Sequence, residues 1–234
     1  MILEHRRPRR LRGVIFDMDG VLLDTMSQWS SLAFNYLREN GIEPRADLND
    51  VIGSFSVRGA IEYLIAEYGL PRSFDEALSD IRARLERLYR YEAIMKEGAD
   101  RTLTTLRRAE CPIALATATS SALARSALTR HRLLDYFTAI KSCRDEDIHA
   151  SKSHPAVYDA ARSCIGSERR ETAVVEDALY ALETAKDAGY FVIAFEDYYE
   201  RHNKSKIQEL ADVYVSNHQE LSEWFSSYFS SANR

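Results

Sequence analysis

Cysteine is scarce in this chain. Cys111, Cys143 and Cys164 are odd in number, widely spaced and form no Cys-x-x-Cys pair. Neither a disulfide framework nor a thiolate zinc cluster is expected, and reduced thiols fit a cytoplasmic protein. Long apolar runs are also missing; nothing approaches the roughly 20 residues that span a bilayer. Arg6, Arg7, Arg9, Arg10 and Arg12 crowd the N-terminus, but no apolar stretch follows to make a secretory leader. They read as a solvated basic arm. An excess of positive charge is lacking too: 31 basic against 36 acidic residues leave a net charge of −5, a poor basis for nucleic-acid binding. No repeat of fixed period is visible.

What is present is the composition of a globular protein. Of 234 residues, 45% are hydrophobic and 29% charged, enough for a sizeable core and too apolar for bulk disorder. Short apolar runs without polar alternation predict strands buried on both faces: Gly13–Phe16, Ile113–Ala116, Ala173–Val175, Phe191–Phe195 and Val213–Val215, with Ala139-Ile140 as a weaker one. Between them, apolar residues at three- and four-residue spacing predict helices over Ala99–Ala109, Ser121–Arg130, Pro155–Ile165 and Leu179–Ala188. Such alternation predicts a doubly wound parallel sheet, an α/β Rossmann-like core. Residues 26–96 break it and read as helices only: Trp29–Glu39, Gly59–Tyr68 and a long Phe74–Met95. The expected organisation is a core of residues 1–25 and 97–234 with an inserted all-helical cap. The tyrosine and arginine stripe at Arg82–Tyr91 reads as helix surface and packing.

In open parallel sheets ligands bind at the carboxyl ends of the strands. Three predicted strands end there in Asp17, Thr117 and Glu176-Asp177. A carboxylate at the tip of a buried strand is costly unless paired. A hard divalent cation such as Mg2+ would pair with it. Asp19 follows two residues later, and Gly20 permits a tight turn with close backbone approach. Of two such carboxylates, one can act as nucleophile while the other carries a proton for a leaving group.

The run Asp17-Met18-Asp19-Gly20-Val21-Leu22-Leu23-Asp24-Thr25 after an apolar strand resembles the first signature of the haloacid dehalogenase (HAD) superfamily. Thr117 at a strand end, Lys152 before Pro155, and Glu176-Asp177 followed by Ala188-Gly189 are similar to its later motifs, in order. The helical insert resembles the cap of the phosphoglycolate phosphatase and β-phosphoglucomutase branch. The resemblance implies phosphoryl transfer through an aspartyl-phosphate. Asp17 would attack phosphorus, and Asp19 would protonate the leaving oxygen and later activate water. Thr117 and Lys152 would hold the phosphoryl oxygens, with Gly20 and Thr119 also against the phosphate. Magnesium would lie among Asp17, the Asp19 carbonyl and Asp177, with Glu176 either a direct ligand or one step removed. The implied substrate is a small phosphorylated metabolite.

Dehalogenases of the superfamily lack an acid at the position of Asp19, so its presence points to phosphoryl chemistry. Ser153-His154, Ala178 and Ala181 depart from the family pattern and bear on loop shape and substrate. Trp29 stands where mutases of the branch tend to carry histidine. A phosphomutase using the same residues is the alternative reading, and a non-catalytic binding protein on the same fold a lesser one. Asp24 is expected to hold the turn into the cap by hydrogen bonds. Thr119 and Ser120 are also candidate caps of the next helix. His154 and Arg58, the latter after Gly53-Ser54-Phe55, read as surface residues. Asp197, Tyr198 and Tyr199 suggest no role, and oligomeric state is not legible.

Overall fold

The computed structural model describes residues 2–53, 55–148 and 150–232. Ser54 lies outside the described residues. The strands are β1 (Leu3–Glu4), β2 (Gly13–Phe16), β3 (Leu23–Asp24), β4 (Ile94–Met95), β5 (Ile113–Thr117), β6 (Ala139–Ser142), β7 (Thr172–Glu176), β8 (Phe191–Phe195) and β9 (Val213–Val215). Among the described residues seven of them form one sheet in the order β1-β9-β8-β7-β2-β5-β6, parallel except for β1. The central strand β2 is wholly buried, and burying Val14, Ile15 and Phe16 stabilises by roughly 1.5–3 kcal/mol each.

Alternation along the strands divides the core into two layers. Val14, Phe16, Leu115, Val175 and Ile193 face one layer; Ile15, Ala116, Val174 and Val192 face the other. The first layer is covered by α5 (Ala99–Arg108), α6 (Ser121–Arg130) and α10 (His218–Ala232), through Leu103, Leu128 and Phe225. The second is covered by α7 (Ala156–Cys164), α8 (Leu179–Asp187) and α9 (Lys204–Leu210), through Val157, Leu182 and Ile207. This is the predicted doubly wound α/β core.

Between β3 and β4 lie the cap helices α1 (Met26–Glu39), α2 (Leu48–Ile52), α3 (Val57–Tyr68) and α4 (Phe74–Arg87). Their starts and stops follow local rules. Ser56 and Ser73 cap α3 and α4, Ser73 in a reciprocal pair with Glu76. Gly69 ends α3 in the left-handed region at φ 61°. Tyr36, Leu37, Ile61, Leu64, Ile81 and Leu85 are the cap's apolar centre, continuous with the first core layer.

One expectation is corrected. The long helix ends at Arg87, passes into a π-helix over Leu88–Glu92, and gives way to β4, which pairs antiparallel with β3. Ala93, at φ −52° and ψ 129°, takes the chain out of the helix. The five arginines of the N-terminal arm are exposed, as expected, while its backbone is held. Leu3 and Glu4 pair with Tyr214 and Val213, the amides of His5 and Arg6 donate to the Asp212 carbonyl, and Leu11 is buried. Edge-strand hydrogen bonds and a buried leucine hold it against the sheet. Among the described residues no helix is long and apolar enough to cross a membrane.

Candidate active site

Strand register builds the charged half of the site. Phe16 pairs with both Leu115 and Val175, which brings the ends of β2, β5 and β7 level. Asp17 follows at the tip of β2, its amide donating to the Val175 carbonyl at 3.0 Å, beside Glu176. By alternation Asp17 shares the face of Ile15, and Glu176 that of Val174. This is the face covered by α7, and Lys152 arrives from the segment preceding that helix. Its Nζ stands 2.5 Å from Asp17 Oδ1 and also pairs with Glu176 Oε1. The Tyr158 hydroxyl of α7 donates to Glu176 Oε1 at 2.9 Å.

Asp17, Asp19, Lys152, Glu176 and Asp177 are all buried. Burial raises the Asp17 carboxyl well above its usual range; Glu176 adds to this and Lys152 opposes it. Asp177 is raised in the same way by burial, Glu176 and Asp17. Burial works against the Lys152 cation, but Asp17 and Glu176 outweigh it and hold the ammonium well above the usual lysine range. Three carboxylates around one lysine leave the cluster short of positive charge. Asp17, Glu176 and Asp177 each offer an oxygen, all within 4.8 Å of one another, and Asp177 Oδ2 and Glu176 Oε2 are buried without a hydrogen-bond partner. Buried, unpaired hard oxygens at this spacing fit a magnesium ion. Gly20, at φ 81°, lets the chain fold over this cluster; a Cβ there would meet Asp177 Oδ2 at 2.1 Å.

The other half of the site is built of hydroxyls. Past Gly20 the chain turns, and Asp19 directs its carboxylate away from the acidic cluster. Oδ1 accepts from Thr25 Oγ1 at 2.6 Å and from the Tyr89 hydroxyl at 2.6 Å; Oδ2 accepts from Thr119 Oγ1 at 2.9 Å. Burial, with Asp19 beside it, pushes the Tyr89 phenol up, so it stays a donor. Thr117 Oγ1 accepts from the Thr119 amide at 3.0 Å, which orients the loop after β5. His218 supports the turn from beneath: its Nε2 lies 2.8 Å from the Val21 carbonyl and Nδ1 3.1 Å from Thr102 Oγ1. Burial lowers its pKa to about 4.

Asp17, Asp19, Gly20, Thr117, Thr119, Lys152, Glu176 and Asp177 therefore converge at one edge of the sheet. Thr119 bonds Asp19 rather than capping α6, and Ser120 makes no side-chain cap. Asp24 is exposed; Thr25, its neighbour, makes the hydrogen bond expected at this turn. His154 is exposed and accepts from the Ala156 amide, and Arg58 stacks on Phe74 at the surface. Asp197 pairs with Lys96 at 2.8 Å, in the wall of a cleft of about 260 Å³ that reaches Asp177. Sequence reasoning missed three residues. Thr25 lay inside the first motif, and Tyr158 stands on the helix that follows Lys152. Tyr89 was read within the stripe of helix surface and packing; it is fully buried against Asp19, four residues after the buried Leu85.

A family model described as haloacid dehalogenase-like hydrolase matches residues 11–189. Hexitol phosphatase A of Escherichia coli (strain K12) is 27% identical over 191 residues, covering 79% of this chain and 83% of that protein. The beta-phosphoglucomutase of Bacillus subtilis (strain 168) is 26% identical over 191 residues, covering 78% and 82%. Among solved structures, a HAD hydrolase of family IA, variant 3, from Entamoeba histolytica superposes with a TM-score of 0.76 at 16% identity, covering 94% of this chain and all of that one (100%).

Proposed function

Because this chain belongs to the haloacid dehalogenase-like hydrolases and is a phosphatase by its relatives, we propose that it hydrolyses a small phosphorylated sugar or polyol through an aspartyl-phosphate on Asp17. The observation that carries this reading is the contrast between two carboxylates two residues apart. Asp17 lies against Lys152 in a cation-hungry cluster, whereas Asp19 is held by three hydroxyl donors. The first suits attack on an anionic phosphoryl group, the second exchange of a proton.

In the proposed cycle an Asp17 oxygen bonds to phosphorus as the bond to the leaving oxygen breaks. Lys152 and the Thr117 hydroxyl hold the non-bridging oxygens and offset their charge. Asp19 gives its proton to the leaving oxygen. It then takes a proton from a water molecule that attacks the same phosphorus, releasing phosphate and restoring Asp17. Asp17, the Asp19 carbonyl and Asp177 would hold magnesium, with Glu176 alongside. The ion supplies positive charge to the phosphoryl oxygens. The cap closes the site from water. Trp29 offers a donor-only indole where a mutase would place histidine, which favours water as the acceptor.

The test is phosphate release from a panel of hexitol, hexose and glycolate phosphates, with magnesium and with chelator. Magnesium-dependent release from one class is expected and names the substrate. Absence of release, with conversion of β-glucose 1-phosphate on addition of a bisphosphate primer, would replace the reading with a phosphomutase.

A further inference from the structure

Tyr89 reaches the site from the foot of the cap. The π-helix Leu88–Glu92 carries it, and such turns recur at functional sites. The core clips this foot in place: the Ala93 carbonyl lies 2.9 Å from His131 Nε2 and accepts from Arg130, which also donates to the Tyr91 carbonyl at 3.2 Å. Trp29 Nε1 lies 2.8 Å from the Tyr89 oxygen. An indole N–H can only donate, so the Tyr89 oxygen accepts there and its single proton is left for Asp19 Oδ1. Thr25 donates to the same atom, so both lone pairs of Oδ1 are filled. Oδ2 takes only Thr119. The Thr119 hydroxyl is also 2.8 Å from the Tyr89 oxygen and can donate there when Oδ2 carries a proton. Every donor in the network keeps an acceptor in both forms.

We propose that Tyr89 is a positioning residue for the phosphatase reaction: by filling Oδ1 it fixes the Asp19 carboxyl so that Oδ2 faces the leaving group. The inference rests on the phosphatase reading above. As the phosphorus–oxygen bond breaks, the Oδ2 proton passes to the leaving oxygen, and the electron pair of the O–H bond stays on Oδ2.

The experiment compares p-nitrophenyl phosphate, whose leaving group needs no proton, with sorbitol 6-phosphate or the alkyl phosphate turned over fastest in the panel. Proton donation contributes about 10²–10⁴-fold, and a misdirected carboxyl forfeits part of it. Tyr89→Phe is expected to lower kcat/KM for the alkyl ester, which reports the steps up to departure of the leaving group, roughly tenfold or more, with kcat/KM for p-nitrophenyl phosphate largely kept. Trp29→Phe is expected to show a smaller loss of the same selectivity, and the double variant to fall no further than Tyr89→Phe alone. Equal losses of kcat/KM on both esters, or no loss, overturn the proposal, since a merely structural tyrosine would not distinguish them. Asp19→Asn separates the two levels of the argument. If it is selective for the alkyl ester and Tyr89→Phe is not, only the positioning role falls. If it is not selective either, the acid–base reading falls with it.

Discussion

Asp17 and Asp19 sit two residues apart in one loop, yet they occupy different chemical regions. Asp17 faces charge: Lys152 against it, Glu176 and Asp177 around it, and two carboxylate oxygens with no partner. Asp19 faces neutral hydroxyls from a turn, a core loop and the cap, and its oxygens are well supplied with donors. Gly20 makes the separation possible by turning the chain in the left-handed region, where a side chain would strike Asp177. The difference teaches that a repeated residue type can be split into two roles by its surroundings, charge on one side and hydrogen-bond direction on the other.

The largest expected effect breaks the comparison at its centre. On p-nitrophenyl phosphate, Asp17→Asn should lose roughly 10⁴-fold or more in turnover, because the proposed nucleophile is gone. Asp19→Asn should keep far more of the first-turnover burst of p-nitrophenolate, since that leaving group needs no proton, although its steady-state turnover slows at the water step. Comparable losses would erase the distinction between the halves. Next comes the charged half alone. Lys152→Met leaves Asp17 and Glu176 adjacent and buried without their cation, at a cost of about 3–5 kcal/mol in metal-free protein. Denaturant unfolding should show the loss, and magnesium should recover part of it by binding the folded state. A variant as stable as the native chain would contradict the crowding of negative charge described here.

The smallest effect tests the support beneath the loop. Burial lowers the His218 pKa to about 4, below its unfolded value near 6.5, so the unfolded chain binds the extra proton in that window. Its contribution is complete above the upper value and is lost as pH falls toward the lower one. Stability should drop by roughly 2 kcal/mol between pH 7 and pH 5 from this group. His218→Gln should flatten that slope; an unchanged slope would assign it to other groups.

How much of this was legible in the sequence depended on how each residue is held. Asp17, Thr117 and Glu176 stand at strand tips, and a buried parallel strand announces itself by an unbroken apolar run. Register then carries all three to one edge. Lys152 and Asp177 followed from motif order in a familiar family. Tyr89 was not legible. Its burial keeps step with Ala77, Ile81 and Leu85 and reads as packing, whereas its place in the site depends on a partner 70 residues away in sequence. The strands β3 and β4 are two residues each, too short for any periodicity, so the cap's junction with the core was read as helix end. The basic arm was half legible, its arginines being exposed as read. Its arginines dominate the composition, while Leu3, Glu4 and Leu11 fix its place.

The central claim is that the phosphoryl group passes through Asp17 and leaves with the help of Asp19. The most direct measurement is mass spectrometry of the Asp19→Ala protein, quenched in acid after exposure to p-nitrophenyl phosphate and magnesium and then digested. The account predicts one phosphoryl group on the peptide containing Asp17, accumulating because the water step is slow, and none in Asp17→Asn. A peptide that stays unmodified while p-nitrophenolate is released, or a phosphoryl group found on another residue, would contradict it.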